Sequence, residues 1–138
     1  MKTTLSPYLN FNGNTREAME FYKSVLGGEL TLQTFAESGM PTKAEFKDHI
    51  VHAHLQSGEI SIMASDAGDH SEVTFGTSVH LSLVGSDEAG LTEVFNKLVE
   101  GGKVDMPLEK QFWGDTFGML TDKFGIHWMV NIASQAQK

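Results

Sequence analysis

Cysteine is absent from the 138 residues, and this omission removes disulfides, thiolate nucleophiles and Cys-type zinc sites together. Any catalysis rests on oxygen and nitrogen groups. Basic residues are few and scattered: ten Lys and Arg against eighteen Asp and Glu give a net charge of −8. No Lys- or Arg-rich run interleaved with aromatics occurs, so the electrostatic footprint of nucleic-acid binding is missing, and neither DNA nor RNA is expected as a partner. No apolar stretch approaches the roughly 20 residues of a membrane span. The opening MKTTLSPYLNF lacks the basic flank and apolar centre of a secretory signal. The expected compartment is the cytoplasm, with no membrane partner.

What the chain does contain is a repeat. Ala18, Phe21, Tyr22, Val25 and Leu26 have the spacing of one buried helical stripe, and Leu91, Val94, Phe95, Leu98 and Val99 reproduce it about 73 positions later. Asn14 is placed to cap the first helix, with Glu17 completing a capping box, and Asp87 is placed to cap the second. Each helix runs into a glycine pair, Gly27-Gly28 and Gly101-Gly102, suited to a left-handed helix end.

Strands surround both helices. Leu5 to Phe11 reads as the first, and Glu29 to Phe35 alternates with period two. The segment Ala36 to Asp48 carries Gly39 and Pro41 and reads as a solvated connection, with a pocket edge or lid as its functional alternative. His49 to Gln56 and Glu59 to Ser65 form a hairpin about Ser57-Gly58, and Asp66 to Gly76 has linker composition. The order then restarts with a strand at Thr77 to Val84, the second helix, a short strand at Lys103 to Met106, and a hairpin of Phe117 to Thr121 with Ile126 to Ile132. Asp122 and Gly125 occupy the turn positions of that hairpin that favour them. The expected fold class is therefore α+β, two βαβββ modules in one domain over 1–138. Module one covers about 1–66, the linker about 67–76 and module two about 77–138. A sheet with one covering helix leaves its other face bare, so two such halves are expected to form a curved mixed sheet around a cavity.

Three stretches, PYLNFNGNTREAMEFY, LGGEL and FWGDTFGMLTDKFGIHWMVN, together resemble the PhnB-like branch of the vicinal oxygen chelate superfamily. That superfamily also holds glyoxalase I, fosfomycin- and bleomycin-resistance proteins and extradiol dioxygenases. The resemblance implies a paired βαβββ fold, a homodimer, and in enzymatic members a divalent metal held by side chains of the first and last strands of each module. Transferred to this sequence, those positions fall on Pro7 or Tyr8, Met63, His80 and Met129. Only His80 is a good ligand. A catalytic divalent site needs about three protein ligands, and oxygen-preferring metals need carboxylates that these positions do not supply.

Histidine offers the remaining route to a metal. His52 and His54 lie two apart on a strand and point to one face, and together with His80, or His127, they could present imidazoles to a divalent cation. Partly buried strand histidines satisfied by backbone or water are the favoured reading, and His49 and His70 are expected at the surface. No cofactor is favoured.

The pocket expected from strand parity is lined by Tyr8, Asn10, Met63, His80, Ser82, Trp113, Phe117, His127, Met129 and Asn131. Val79, Leu81 and Leu83 are expected to back onto the helices. This lining is mostly apolar with a few polar anchors, as small-molecule sites are. The alternative for Trp113, Phe117 and Met119 is core or dimer interface. Asp115 and Asp122 near His127 suggest an acid–base pair, but turn chemistry accounts for Asp122 and no base-held nucleophile accompanies them.

Three functions are thus weighed. The first is a PhnB-type protein, glyoxalase/bleomycin-resistance-like, that binds a small organic molecule after loss of its metal ligands. The second is a metal-dependent lyase, isomerase or transferase with a His-rich site. The third is the demethylubiquinone methyltransferase activity with which this branch is labelled. It is disfavoured because the glycine pairs follow helices, whereas a nucleotide cradle precedes one.

Overall fold

The computed structural model describes residues 3–67 and 72–134. His70 and part of the 67–76 linker lie outside the described residues. The chain divides into two units, Met1–Thr74 and Phe75–Lys138.

In the first unit β1 (Tyr8–Phe11), α1 (Thr15–Leu26) and β2 (Glu29–Thr34) are followed by a four-residue helix α2 (Phe35–Ser38), a 3-10 turn (Ala44–Phe46), β3 (Ile50–Ser57) and β4 (Ile60–Asp66). The second unit runs β5 (Leu81–Gly85), α3 (Glu88–Leu98), β6 (Lys103–Lys110), β7 (Thr116–Thr121) and β8 (His127–Ile132). The sheet orders are β1-β4-β3-β2 and β5-β8-β7-β6, the same order in both units. In each the first strand pairs parallel to the last, and the other pairings are antiparallel. The α+β class and the doubled βαβββ module are thus both present.

Period-two burial separates the two faces of each sheet. Ala53, Leu55, Ile62 and Ala64 are buried on the face where α1 packs through Ala18, Met19 and Tyr22. In the second unit Trp128, Val130 and Leu120 are the buried counterparts, with Phe95 and Leu98 of α3. Removing such side chains from water is the main stabilising term, at about 1.5–3 kcal/mol for each fully buried large aliphatic or aromatic.

The helix ends hold one correction. Asn14 makes no side-chain cap hydrogen bond, so the expected box with Glu17 does not form. The buried carboxylate of Asp66, at the end of β4, does this work from afar: its Oδ1 accepts from Gly13 N (2.9 Å), Thr15 N (3.1 Å) and Thr15 Oγ1 (2.7 Å). A charged acceptor at a helix N-terminus satisfies orphan donors and meets the positive end of the helix dipole. A capping box does exist, at α2, where Thr34 and Glu37 bond reciprocally. Asp87 caps α3 by accepting from Gly90 N at 3.0 Å. Both glycine pairs have a packing reason as well. A Cβ on Gly28 would collide with Gln56 O and one on Gly102 with Thr121 O, so each helix exit lies directly on strand backbone.

Three further expectations are corrected. Thr77–His80 is not strand: β5 begins at Leu81, and Val79 is 71 % exposed, so it does not back onto a helix. Ala36–Asp48 is more ordered than a plain connection, since it holds most of α2 and the 3-10 turn. His49 is only partly exposed, its ring edge-on to Phe46 at 5.2 Å, with a buried Nδ1. The closing turn is as expected: Gly125 N bonds Asp122 O at 3.0 Å, and the Asp122 carboxylate accepts from Phe124 N, Ile126 N and the Trp128 indole. These bonds, with that from Asp122 N to Ile126 O, commit Asp122 to structure. No helix among the described residues is long and apolar enough to cross a membrane.

Candidate functional site

Strand register assigns the face of each candidate side chain that lies on a strand. In the first unit Tyr8 and His54 are both Cα partners of Met63, Asn10 is the partner of Ser65, and His52 of Gln33. Because partners share a face, Tyr8, Asn10, Met63, His52 and His54 all lie opposite the α1-covered side. Both histidines have local partners there. Tyr8 Oη is 3.4 Å from His52 Nδ1, and His54 Nε2 is 2.9 Å from Ser61 Oγ.

The first unit contains a concave site of about 520 Å³ at the end of β1 and β4. Asn10, Ser65, Asp66 and Glu72 give it a polar wall, and Phe35, Met40, Val51 and Val73 an apolar one. Several walls are fixed by hydrogen bonds. Asn12 holds both backbone groups of Val73, donating from Nδ2 to Val73 O (3.0 Å) and accepting from Val73 N (2.8 Å). The α2 capping box sets the turn that carries Phe35, and the Thr34 backbone N–H and hydroxyl hold the Glu37 carboxyl below its ordinary range. Asp66 adds to its three α1 contacts an acceptance from Ile50 N at 2.8 Å.

Of the residues singled out by sequence in this unit, Asn10 lines the cavity; Tyr8 and Met63 lie on the same sheet face without lining it. Sequence reasoning missed Phe35, Val51, Ser65, Asp66, Glu72 and Val73. Met40 belongs to the segment whose alternative reading was a pocket edge, and it does form one.

In the second unit Ser82 pairs with Met129, Val84 and Phe117 with Asn131, and His127 with Thr121, so these side chains share the face opposite buried Trp128 and Val130. The rings of His80 and His127 approach to 5.3 Å between centroids. His127 Nε2 is 3.0 Å from Gly76 O and Nδ1 is 2.9 Å from Thr121 Oγ1, whose hydroxyl donates to Asp105 Oδ2 at 2.6 Å. That hydroxyl, with Lys103 beside it, holds the Asp105 carboxyl below the ordinary aspartate range. Asn131 Nδ2 donates to Asp115 Oδ2 at 3.0 Å and Ser134 N to Oδ1 at 2.9 Å, which lowers Asp115 likewise. Asp115 and Asp122 are therefore held by structural donors, and neither bonds His127. Trp113 sits on the β6–β7 connection, edge-on to Phe117 at 6.0 Å and to Phe112 at 5.0 Å.

The donor chemistry can be tested against a glyoxalase-type metal. The mapped positions offer a phenol, two thioethers and one imidazole, which do not suit a hard divalent cation. The alternative set splits between the units, with His52 and His54 in the first and His80 in the second. Among the described residues, no three His, Asp or Glu side chains are grouped as a metal site requires. The residues do not fit the group.

Comparisons with known proteins agree on the family. The sequence model of the Glyoxalase/Bleomycin resistance protein/Dioxygenase superfamily matches residues 4–130. Protein YjdN of Escherichia coli (strain K12) is 34% identical over 143 residues, covering 95% of this chain and 96% of YjdN. The crystal structure of protein PA1353 from Pseudomonas aeruginosa superposes with a TM-score of 0.87 at 41% identity, covering 97% of this chain and all (100%) of that one. A PhnB protein from Bacillus cereus, which carries the provisional name 3-demethylubiquinone-9 3-methyltransferase, superposes with a TM-score of 0.77 at 26% identity, covering 95% of this chain and 100% of that one.

Proposed function

Because this chain belongs to the glyoxalase/bleomycin resistance protein/dioxygenase superfamily, we propose that it binds a small organic molecule in the cavity of its first unit, without a glyoxalase-type metal centre. The carrying observation is the cavity itself. Its volume of about 520 Å³ falls within the roughly 300–1,000 Å³ of small-molecule sites, and it sets an apolar wall against a polar one. Phe35 and Met40 supply adaptable contact area, while Asn10 and Ser65 supply orientation. We place the protein in the cytoplasm as a homodimer, with neither nucleic acid nor membrane as partner.

The test is a thermal-shift screen of small molecules run with a chelator present, on the native chain and on Ser65→Phe, whose ring fills the cavity. The reading expects compounds that raise the Tm of the native chain despite the chelator and lose that effect in the variant. Compounds that stabilise both equally would refute it.

A metal-dependent enzyme is the second reading, favoured by the approach of His80 to His127. Stoichiometric Zn, Mn, Ni or Fe after dialysis, lost in His80→Ala, would favour it over the first. The methyltransferase activity named for the Bacillus cereus protein is disfavoured here. Gly27-Gly28 and Gly101-Gly102 follow helices, and Gly28 and Gly102 abut strand backbone, leaving no open cradle for a nucleotide. A saturable calorimetric signal with S-adenosylmethionine would reverse that judgement.

A further inference from the structure

We propose that the molecule held in the first-unit cavity is an organic cation, an apolar body carrying a protonated amine; this rests on the cavity being the ligand site. Among the described residues no Lys, Arg or His lines the cavity, whereas two carboxylates do, Asp66 and Glu72. Their roles differ. Asp66 is buried and accepts four hydrogen bonds from Gly13, Thr15 and Ile50, so it contributes negative potential but little free acceptor capacity. Glu72 is exposed, and among the described residues no hydrogen bond or ion pair engages it. Asn12 fixes the backbone of the next residue, Val73, so the Glu72 carboxylate stands on a wall whose position is set.

The alternatives fail on chemistry. An organic anion would enter a site with two carboxylates and, among the described residues, no basic group to pair with it, at a like-charge cost. A bare divalent cation such as calcium needs six or more oxygen ligands, largely charged, and among the described residues one open carboxylate with Asn10 and Ser65 falls short. A neutral apolar molecule would make no use of the Glu72 charge or of the Asn10 and Ser65 side chains. An ammonium group pairs with Glu72 and donates to the Asn10 and Ser65 side-chain oxygens, while Phe35, Val51, Met40 and Val73 cover the apolar remainder. The net charge of −8 raises the local concentration of cations further.

Three isosteric probes, 4-phenylbutylamine, 4-phenylbutanol and 4-phenylbutyrate, test this by calorimetry on the full chain at low salt. The amine is expected to bind tightest, about two- to fivefold better than the alcohol, as for one partly exposed ion pair, and the acid weakest. In Glu72→Gln the amine should fall to the level of the alcohol. Glu72→Lys should invert the order of amine and acid. Since Glu72 is exposed, neither variant is expected to disturb folding. Equal binding of amine and alcohol, or an amine preference that survives in Glu72→Gln, overturns the cationic class while leaving the cavity as a ligand site. Binding of none of the three at millimolar concentration overturns the cavity reading and the class with it.

Discussion

The Asp66 carboxylate grips Thr15, the first residue of α1, twice: its Oδ1 accepts the Thr15 backbone N–H at 3.1 Å and the Thr15 hydroxyl at 2.7 Å. The same side chain accepts from Ile50 N on β3. One carboxylate therefore ties helix, strand end and cavity wall together. Asp66→Ala should cost about 3 kcal/mol or more, since several donors lose their acceptor at about 1–3 kcal/mol for each one left buried and unsatisfied. Asn14→Ala, at the position usually reserved for the cap, should cost only a few tenths, against the ~1 kcal/mol of a working cap, because Asn14 makes no cap bond. Urea unfolding of the two variants checks both, and equal losses would contradict the assignment.

Asn12 clamps Val73 through both backbone groups. Asn12→Ala should raise the hydrogen-exchange rate of the Val73 amide, weaken ligand binding at the cavity, and cost about 1 kcal/mol of stability. Retention of slow exchange at Val73 would show that the amide is protected in some other way.

The acid limb of stability follows from depressed carboxylates. Hydrogen bonds from Asn131 and Ser134 to Asp115, and from Thr121 to Asp105, lower both groups in the folded state. A carboxyl whose folded value lies below its unfolded one contributes stability above the unfolded value, near 3.9 for aspartate, and loses it as pH falls through the folded value. Stability should therefore decline below about pH 4, and Asp115→Asn should flatten that decline while lowering stability at neutral pH. An unchanged acid limb in Asp115→Asn would remove Asp115 from the account.

The proposed homodimer needs a contact surface, and the exposed aromatic pair is the candidate for it. Phe112 is 97 % exposed and Trp113 42 %, stacked edge to face, and exposed apolar clusters of this kind mark contact surfaces. Sedimentation velocity on the native chain is expected to give a dimer that Phe112→Ser with Trp113→Ser weakens at least tenfold, as for loss of an aromatic anchor. A monomer at all concentrations would reject the homodimer.

Much of the fold was legible because periodicity reports burial directly. The two helices, the β8 alternation of His127, Met129 and Asn131 against Trp128 and Val130, and the Asp122 turn follow from local chemistry, although α1 buries Met19 and Thr15, outside the expected stripe. What escaped was set by distant residues. Asn14 resembles a cap, but the carboxylate that holds the helix arrives from β4, 51 positions along the chain. Thr77–His80 has strand-like composition, yet β5 begins only at Leu81, since pairing decides where a strand starts. The candidate site was read on sheet faces by parity, whereas the observed cavity also recruits Phe35 and Met40 from a connection and Glu72 from the segment beyond β4. No local pattern marks such residues as neighbours. The polar stretch with Gly39 and Pro41 was the one available hint.

The most direct test of small-molecule binding in the first unit is amide chemical-shift mapping of the full chain during titration with a stabilising ligand in the presence of chelator. The account predicts saturable shifts concentrated at Asn10, Met40, Val51, Ser65 and Val73. Saturable shifts that leave these five amides unmoved, or that appear only once a divalent metal is restored, would contradict it.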